Sequence, residues 1–223
     1  MTDPAITTAL AALPDPIRRR SGSVFYTGRC AFEGRRPLYV LGLNPGGDPA
    51  AQADETVARD LTDWEALPAR WSAYADERWQ GRPAGTHGMQ PRMLHLFARL
   101  GLDPRETPAS NVVFVRSRGE TELASEKAVL LADCWPVHAA VIRALGVRTI
   151  LCLGGSAGRW TREMLRADTR VDAFRESNAR GWTSEAHLAR DGRAVITVTH
   201  PGRADWRNPA ADPSAMVARV LAR

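Results

Sequence analysis

Cysteine is scarce in this chain. The three present, Cys30, Cys134 and Cys152, stand far apart and form no C-x-x-C pair. They cannot supply the four thiolates of an iron–sulfur cluster or a Cys₄ zinc site. An odd count argues against a disulfide framework. Lysine is scarcer still, with Lys127 the only one among 30 basic residues. No apolar run approaches the roughly 20 residues of a membrane span. Residues 1–13 lack a basic start and contain Asp3 and Pro4, so no export signal is evident. Internal repeats and low-complexity segments are also missing. These absences point to a soluble, cytoplasmic protein.

What is present suits a folded core. The chain has 223 residues, 44% hydrophobic and 25% charged, as expected for one domain over 1–223. Its net charge of +5 permits a polyanionic partner without requiring one.

Four segments have the length and apolar content of strands: 38–43, 111–116, 149–153 and 194–199. Each is nearly continuous in apolar residues, as strands covered on both faces of a parallel sheet should be. Helical patterns separate them at 89–100, 126–145, 156–167 and 213–222, the first two stopping at Gly101 and Gly146. Strands alternating with helices imply an α/β layered fold with a largely parallel sheet. Residues 48–88 are polar, carry Trp64, Trp71 and Trp79, and are too long for an ordinary connection. They read as an elaborated insertion beside the sheet.

In open α/β sheets, ligands sit beyond the carboxyl ends of the strands. Here those ends are LNPGG, VRSRG, GGSAG and THPGR, all polar or glycine-rich. The stretch Gly42-Leu43-Asn44-Pro45-Gly46 is open to two readings, a tight turn or a strand end that presents Asn44 to a cleft. His200-Pro201-Gly202 after the last strand is open to the same two.

Taken together, G-x-N-P-G after the first strand and H-P-G after the last resemble the motifs of the uracil-DNA glycosylase superfamily. The likeness is closest to its mismatch-specific and single-strand-selective branches, whose first motif carries asparagine. It implies a three-layer α/β/α fold with a four-stranded parallel sheet. It further implies a monomeric enzyme that hydrolyses the N-glycosidic bond of uracil, or a related deaminated base, in DNA during base excision repair, with no metal or cofactor. Asn44 would position the attacking water and His200 would donate to the uracil O2. Gly42, Leu43, Pro45 and Gly46 would help shape the base pocket, and Asn111 would read the Watson–Crick edge. Gly202 departs from the family's serine at that place, so a phosphate contact is lost or passes to a backbone amide. Arg203, Trp206 and Arg207 would contact DNA, by wedging and by phosphate binding beside a flipped nucleotide. Trp71, Tyr74, Trp79 and His87 all lie where the family places a ring that stacks on the base, with no basis for choosing among them.

Two other readings stand beside this one. Gly154-Gly155-Ser156-Ala157-Gly158 fits G-x-S-x-G between a strand and a helix, so Ser156 with His200 and Asp172 or Asp191 could form an esterase triad. Only one strand is expected after Ser156, and no oxyanion segment precedes it. A relative that binds nucleic acid without turnover is the third possibility.

Overall fold

A computed structural model describes residues 2–223. Its single sheet has six strands: β1 (Leu38–Gly42), β2 (Ala109–Asn111), β3 (Thr149–Leu153), β4 (Ala167–Arg175), β5 (Thr183–Ala189) and β6 (Ala194–Val198). They run in the order β2-β1-β3-β6-β5-β4. The first four in that order are mutually parallel, and β5 and β4 are antiparallel additions at one side. The fold is therefore α/β with a mixed six-stranded sheet, which corrects the expectation of four parallel strands. The reason β4 escaped detection is its composition. As an edge strand it carries Asp168, Arg170, Asp172 and Arg175, and most of it is exposed, so no apolar run marks it. Charges on an edge prevent pairing with another chain.

A second correction concerns residues 111–116. Asn111 is the last residue of β2, not the first of a strand, and it pairs with Gly42 at the end of β1. Val112–Val115 are fully buried, but they leave the ladder after Val112 N–H bonds Gly42 O (2.9 Å) and Val113 N–H bonds Leu43 O (3.0 Å). Their apolar character reflects burial in the core. Asn111 thereby comes to the carboxyl edge of the sheet.

The central strands show the two-residue alternation of a sheet covered on both sides. Tyr39, Leu41, Ile150, Cys152 and Val195 pack with helices α1 (Pro4–Ala11), α6 (Lys127–Ala144) and α7 (Gly155–Leu165). Leu38, Val40, Leu151, Leu153, Ile196 and Val198 face the other way, toward α4 (Gln90–Leu100) and α8 (Ser214–Leu221). The helix boundaries lie close to the expected ones. Gly101 ends α4 in the left-handed conformation at φ 65°. The remaining α-helices are α2 (Asp15–Arg18), α3 (Val57–Ala66) and α5 (Glu120–Ala124). Among the described residues no helix is long and apolar enough to cross a membrane.

A buried histidine joins three parts of this core. His138 on α6 lies 3.1 Å from Val112 O through Nε2 and 2.9 Å from the Tyr39 hydroxyl through Nδ1. Val112 O can only accept, so Nε2 carries the proton and Nδ1 accepts from Tyr39. Burial pushes the His138 pKa down to about 4, so the ring is neutral and its hydrogen bonding is fixed near neutral pH.

The insertion at 48–88 is stitched into the fold. Thr56 caps α3 through Arg59 N–H, and Trp64 on α3 packs against Phe25 and Phe32 while its indole donates to Thr27 O at 2.8 Å. Gln90 at the start of α4 donates to Ala73 O (2.7 Å) and Glu77 O (2.8 Å), which holds the loop carrying Tyr74 and Trp79 against the sheet.

Trp206 overturns an expectation. The expected DNA-contacting wedge is instead fully buried in the core beside α4 and α8, and its indole N–H has no partner. It is a core residue because the chain after His200 turns back under its own loop. Trp206→Ala should lower unfolding stability by about 3–5 kcal/mol through lost burial and a cavity. Trp206→Phe, which also removes the unpaired donor, should cost clearly less. Urea unfolding of the three proteins checks this, and equal losses in both variants would contradict it.

Candidate active site

A cleft of about 870 Å³ lies beyond the carboxyl ends of the parallel strands. β1 brings Gly42, Leu43, Asn44 and Gly46 to its wall, β2 brings Asn111, β3 leads to Gly154 and Ser156, and β6 leads to His200 and Arg203. Pro45 is buried behind this wall and its carbonyl serves the structure of the turn. The turn reading and the site reading of residues 42–46 thus describe the same geometry.

The Asn111 side chain depends on Gly42. A Cβ at residue 42 would stand 2.1 Å from Asn111 Oδ1, so only glycine leaves the amide its place. Asn111 Nδ2 donates to the Tyr26 hydroxyl at 3.0 Å. Desolvation pushes the Tyr26 pKa up to about 12, so the phenol stays protonated. The amide retains its carbonyl oxygen and its second N–H, an acceptor and a donor side by side.

Asn44 is oriented by two donated bonds, to Pro45 O (2.8 Å) and to Ser117 Oγ (3.0 Å). Ser117 in turn donates to Gly119 O at 2.9 Å. Both amide hydrogens are spent, so Asn44 has only its Oδ1 acceptor to offer the cleft.

His200 presents the complementary group. Gly202 N–H donates to His200 Nδ1 at 2.9 Å, which places the ring proton on Nε2. Burial, with the nearby Arg203 charge, holds its pKa below the usual imidazole range, so at neutral pH it is an uncharged donor. The backbone amide of Gly202 is therefore committed to the histidine. A side chain at 202 would begin 2.9 Å from Nδ1.

The helix α7 starts in the same cleft. Gly154 adopts φ 102° with its N–H on Val198 O (2.9 Å), and no side chain caps the helix. The positive end of the helix dipole favours developing negative charge there. Ser156 sits in the first turn of α7, 3.4 Å from Arg159 Nη2. Asp172 is paired with Arg219 and Asp191 with Arg193, and His200 Nδ1 is taken by Gly202. Among the described residues no Ser–His–Asp relay is assembled around Ser156.

Of the four candidate rings, Tyr74 and Trp79 line the cleft and Trp71 and His87 do not. Tyr74 stacks with Tyr26 (6.2 Å between centroids, 14° between planes) and meets Trp79 edge-on at 6.3 Å. Tyr26 and Trp182, both on the cleft wall, were missed from sequence. Tyr26 precedes the first strand, in the short apolar stretch Val24-Phe25-Tyr26 that is its only signal. Trp182 stands at a hairpin whose strands were not recognised.

The arginines expected on the nucleic-acid face divide. Arg203 is exposed on the cleft rim. Arg207 is exposed but forms a two-pronged pair with Asp205 (2.9 and 2.8 Å), which partly neutralises it. Among the described residues no cluster of three His, Cys, Asp or Glu side chains could hold a metal ion.

Compared with family models and with curated proteins, the chain matches none.

The His200 geometry gives a direct test. Nitrogen NMR at pH 7 should show a neutral imidazole protonated on Nε2, titrating below the ordinary histidine range. A ring protonated on Nδ1 would contradict the Gly202 hydrogen bond.

Proposed function

We propose that this protein is a DNA glycosylase of the uracil-DNA glycosylase type. It would hydrolyse the N-glycosidic bond of uracil, or of a related deaminated base, in DNA. The supporting observation is the convergence in one cleft of three side chains with different remaining capacities. Asn111 keeps an acceptor and a donor, Asn44 keeps only an acceptor, and His200 keeps only a donor. The four contiguous parallel strands that carry them suit the three-layer arrangement of that family, with the β4–β5 hairpin as an addition.

The chemistry follows from those capacities. A base turned out of the stack would enter beside Tyr26, Tyr74 and Trp79, where aromatic surface compensates the lost stacking. The Asn111 carbonyl would accept from uracil N3–H and its N–H would donate to O4. Cytosine reverses that pattern and leaves polar groups unpaired, which supplies discrimination. As the bond from C1′ to the base nitrogen breaks, the electron pair leaves with the base. His200 Nε2–H would donate to O2 and stabilise this anion, assisted by the positive end of α7. A water held by Asn44 Oδ1 would attack C1′ of the oxocarbenium-like sugar and give up its proton to the departed base anion, leaving an abasic site and the neutral base. An amide withdraws less proton character from water than a carboxylate does, so modest turnover is expected.

A second reading, a relative that binds damaged DNA without turnover, draws support from Gly202. Its amide serves His200, so the phosphate contact supplied by the family's serine has no replacement at that residue.

Incubation with single- and double-stranded oligonucleotides containing uracil, hypoxanthine or xanthine, then alkaline cleavage, separates the two. Excision is expected, with Asn44→Ala and His200→Ala each losing about 10²- to 10⁴-fold. Both variants should still bind an oligonucleotide with a non-hydrolysable 2′-fluoro deoxyuridine. No excision by the unaltered protein at high concentration, with binding retained, would favour the second reading.

A further inference from the structure

The cleft is larger than one nucleobase requires. Its volume of about 870 Å³ is near the upper end for sites that enclose whole drug-sized ligands. The residues that would hold the base, Asn111 with Tyr26 and Tyr74, occupy one part of its wall. The β5 end of the wall is formed by Trp182 and Thr183, for which base recognition as described has no use.

Trp182 is unusual in its exposure. Among the described residues the exposed large apolar side chains are Val129 and Trp182, and Trp182, at 40%, is the one on the cleft. The sheet register explains its placement. β5 runs antiparallel to β6 with Glu185 opposite Thr197, and Thr199 N–H donates to Ser184 Oγ at 3.2 Å. Trp182 immediately precedes β5 and His200 follows β6, and both line the cleft.

The hairpin tip is built to hold the indole there. Glu176, nearly fully buried, accepts from Asn178 Nδ2 (2.7 Å) and from Arg180 Nη2 (3.0 Å). Its own N–H donates to Trp182 O at 2.8 Å. The Arg180 guanidinium lies over the Trp182 ring, 4.6 Å from its centroid, and also donates to the carbonyl of Arg203. The loop after His200 and the hairpin are thereby tied together. A ring backed by a guanidinium and left partly exposed has the form of a stacking platform for a base. Arg203, beside it on the rim, has no carboxylate partner among the described residues and is free to meet a phosphate.

We propose that Trp182, backed by Arg180, stacks on an unpaired base adjoining the one excised, with Arg203 on the intervening phosphate. The cleft then takes two successive nucleotides. This rests on the glycosylase reading above, since it presumes a strand threaded past His200. Trp182 acts as a positioning residue; it touches neither the scissile bond nor the departing base.

The test uses single-stranded oligonucleotides with 2′-fluoro deoxyuridine and the fluorescent base 2-aminopurine on its 5′ or its 3′ side. The unaltered protein should quench the fluorophore in one of the two probes through stacking. Trp182→Ala should abolish that quenching and weaken binding by about 5- to 100-fold, the loss expected for one base–aromatic stack. Trp182→Phe should retain most of both, and the urea midpoints of all three proteins should agree. In excision of uracil from a strand of the same sequence carrying ordinary deoxyuridine, the Trp182→Ala loss should fall on KM more than on kcat. If the unaltered protein excises uracil while Trp182→Ala binds and quenches as it does, the platform is refuted and the glycosylase reading stands. If the unaltered protein neither binds nor excises, both fall.

Discussion

The missing side chain of Gly42 is the constraint on which the strand-end arrangement depends. The two parallel strands β1 and β2 finish level with each other, and the Asn111 amide lies across the backbone of its neighbour. A methyl group there would stand 2.1 Å from the amide oxygen. Because the space is empty, Asn111 can reach the Tyr26 hydroxyl and stay in one orientation, and Tyr26 can stack on Tyr74 from the insertion. A segment from before the first strand, one from the insertion and one from the sheet meet at that amide. Gly158 makes a comparable allowance elsewhere: a Cβ would lie 1.9 Å from Thr197 Oγ1, and its absence lets α7 lie close on β6.

The interior of the cleft offers neutral hydrogen-bonding groups, and the charge is kept at its edge. Desolvation raises the Tyr26 pKa and lowers that of His200, so both are uncharged near neutral pH, and the Gly202 N–H leaves the His200 proton on Nε2. Asn44 and Asn111 have no charge to lose. Arg118, Glu120 and Arg203 stand at the rim, where solvent screens them; Arg118 is paired with Asp48 and Glu120 with Arg159, which leaves Arg203 to meet a polyanion. Neutral, preoriented donors reorganise little as charge develops on a substrate, which is the condition under which they contribute most.

Two tryptophans show how the surrounding structure assigns a role to a residue type. Trp206 follows the histidine motif closely in sequence and is nonetheless core, because residues 201–206 turn back beneath α4 and α8. Trp182 lies eighteen residues before the motif and is nonetheless at the cleft, because β5 returns antiparallel along β6. The arginines divide likewise: Asp205 holds Arg207, while Arg203 remains on the rim.

Much of this was legible in the residues themselves. Continuous apolar runs bounded by glycine and proline identified β1, β3 and β6, and helical spacing with Gly101 and Gly146 marked α4 and α6. The convergence of Asn44 and His200 followed from their places after strand ends, because parallel strands deliver their carboxyl ends to one edge; Asn111 joins them only because β2 ends there. Other features had no local signature. The charged edge strand β4 and its partner β5 draw their order from pairing, so their composition does not announce them. The end of β2 at Asn111 was hidden because Val112–Val115 look like strand but are apolar through burial. Which tryptophan is exposed is set by contacts between segments distant in sequence, while the pairing of Arg207 with Asp205 and the place of the His200 proton depend on the folded shape of the turn at 200–207. Sequence determined which chemical groups reach the edge of the sheet; tertiary packing decided which of their donors and acceptors remain free to act.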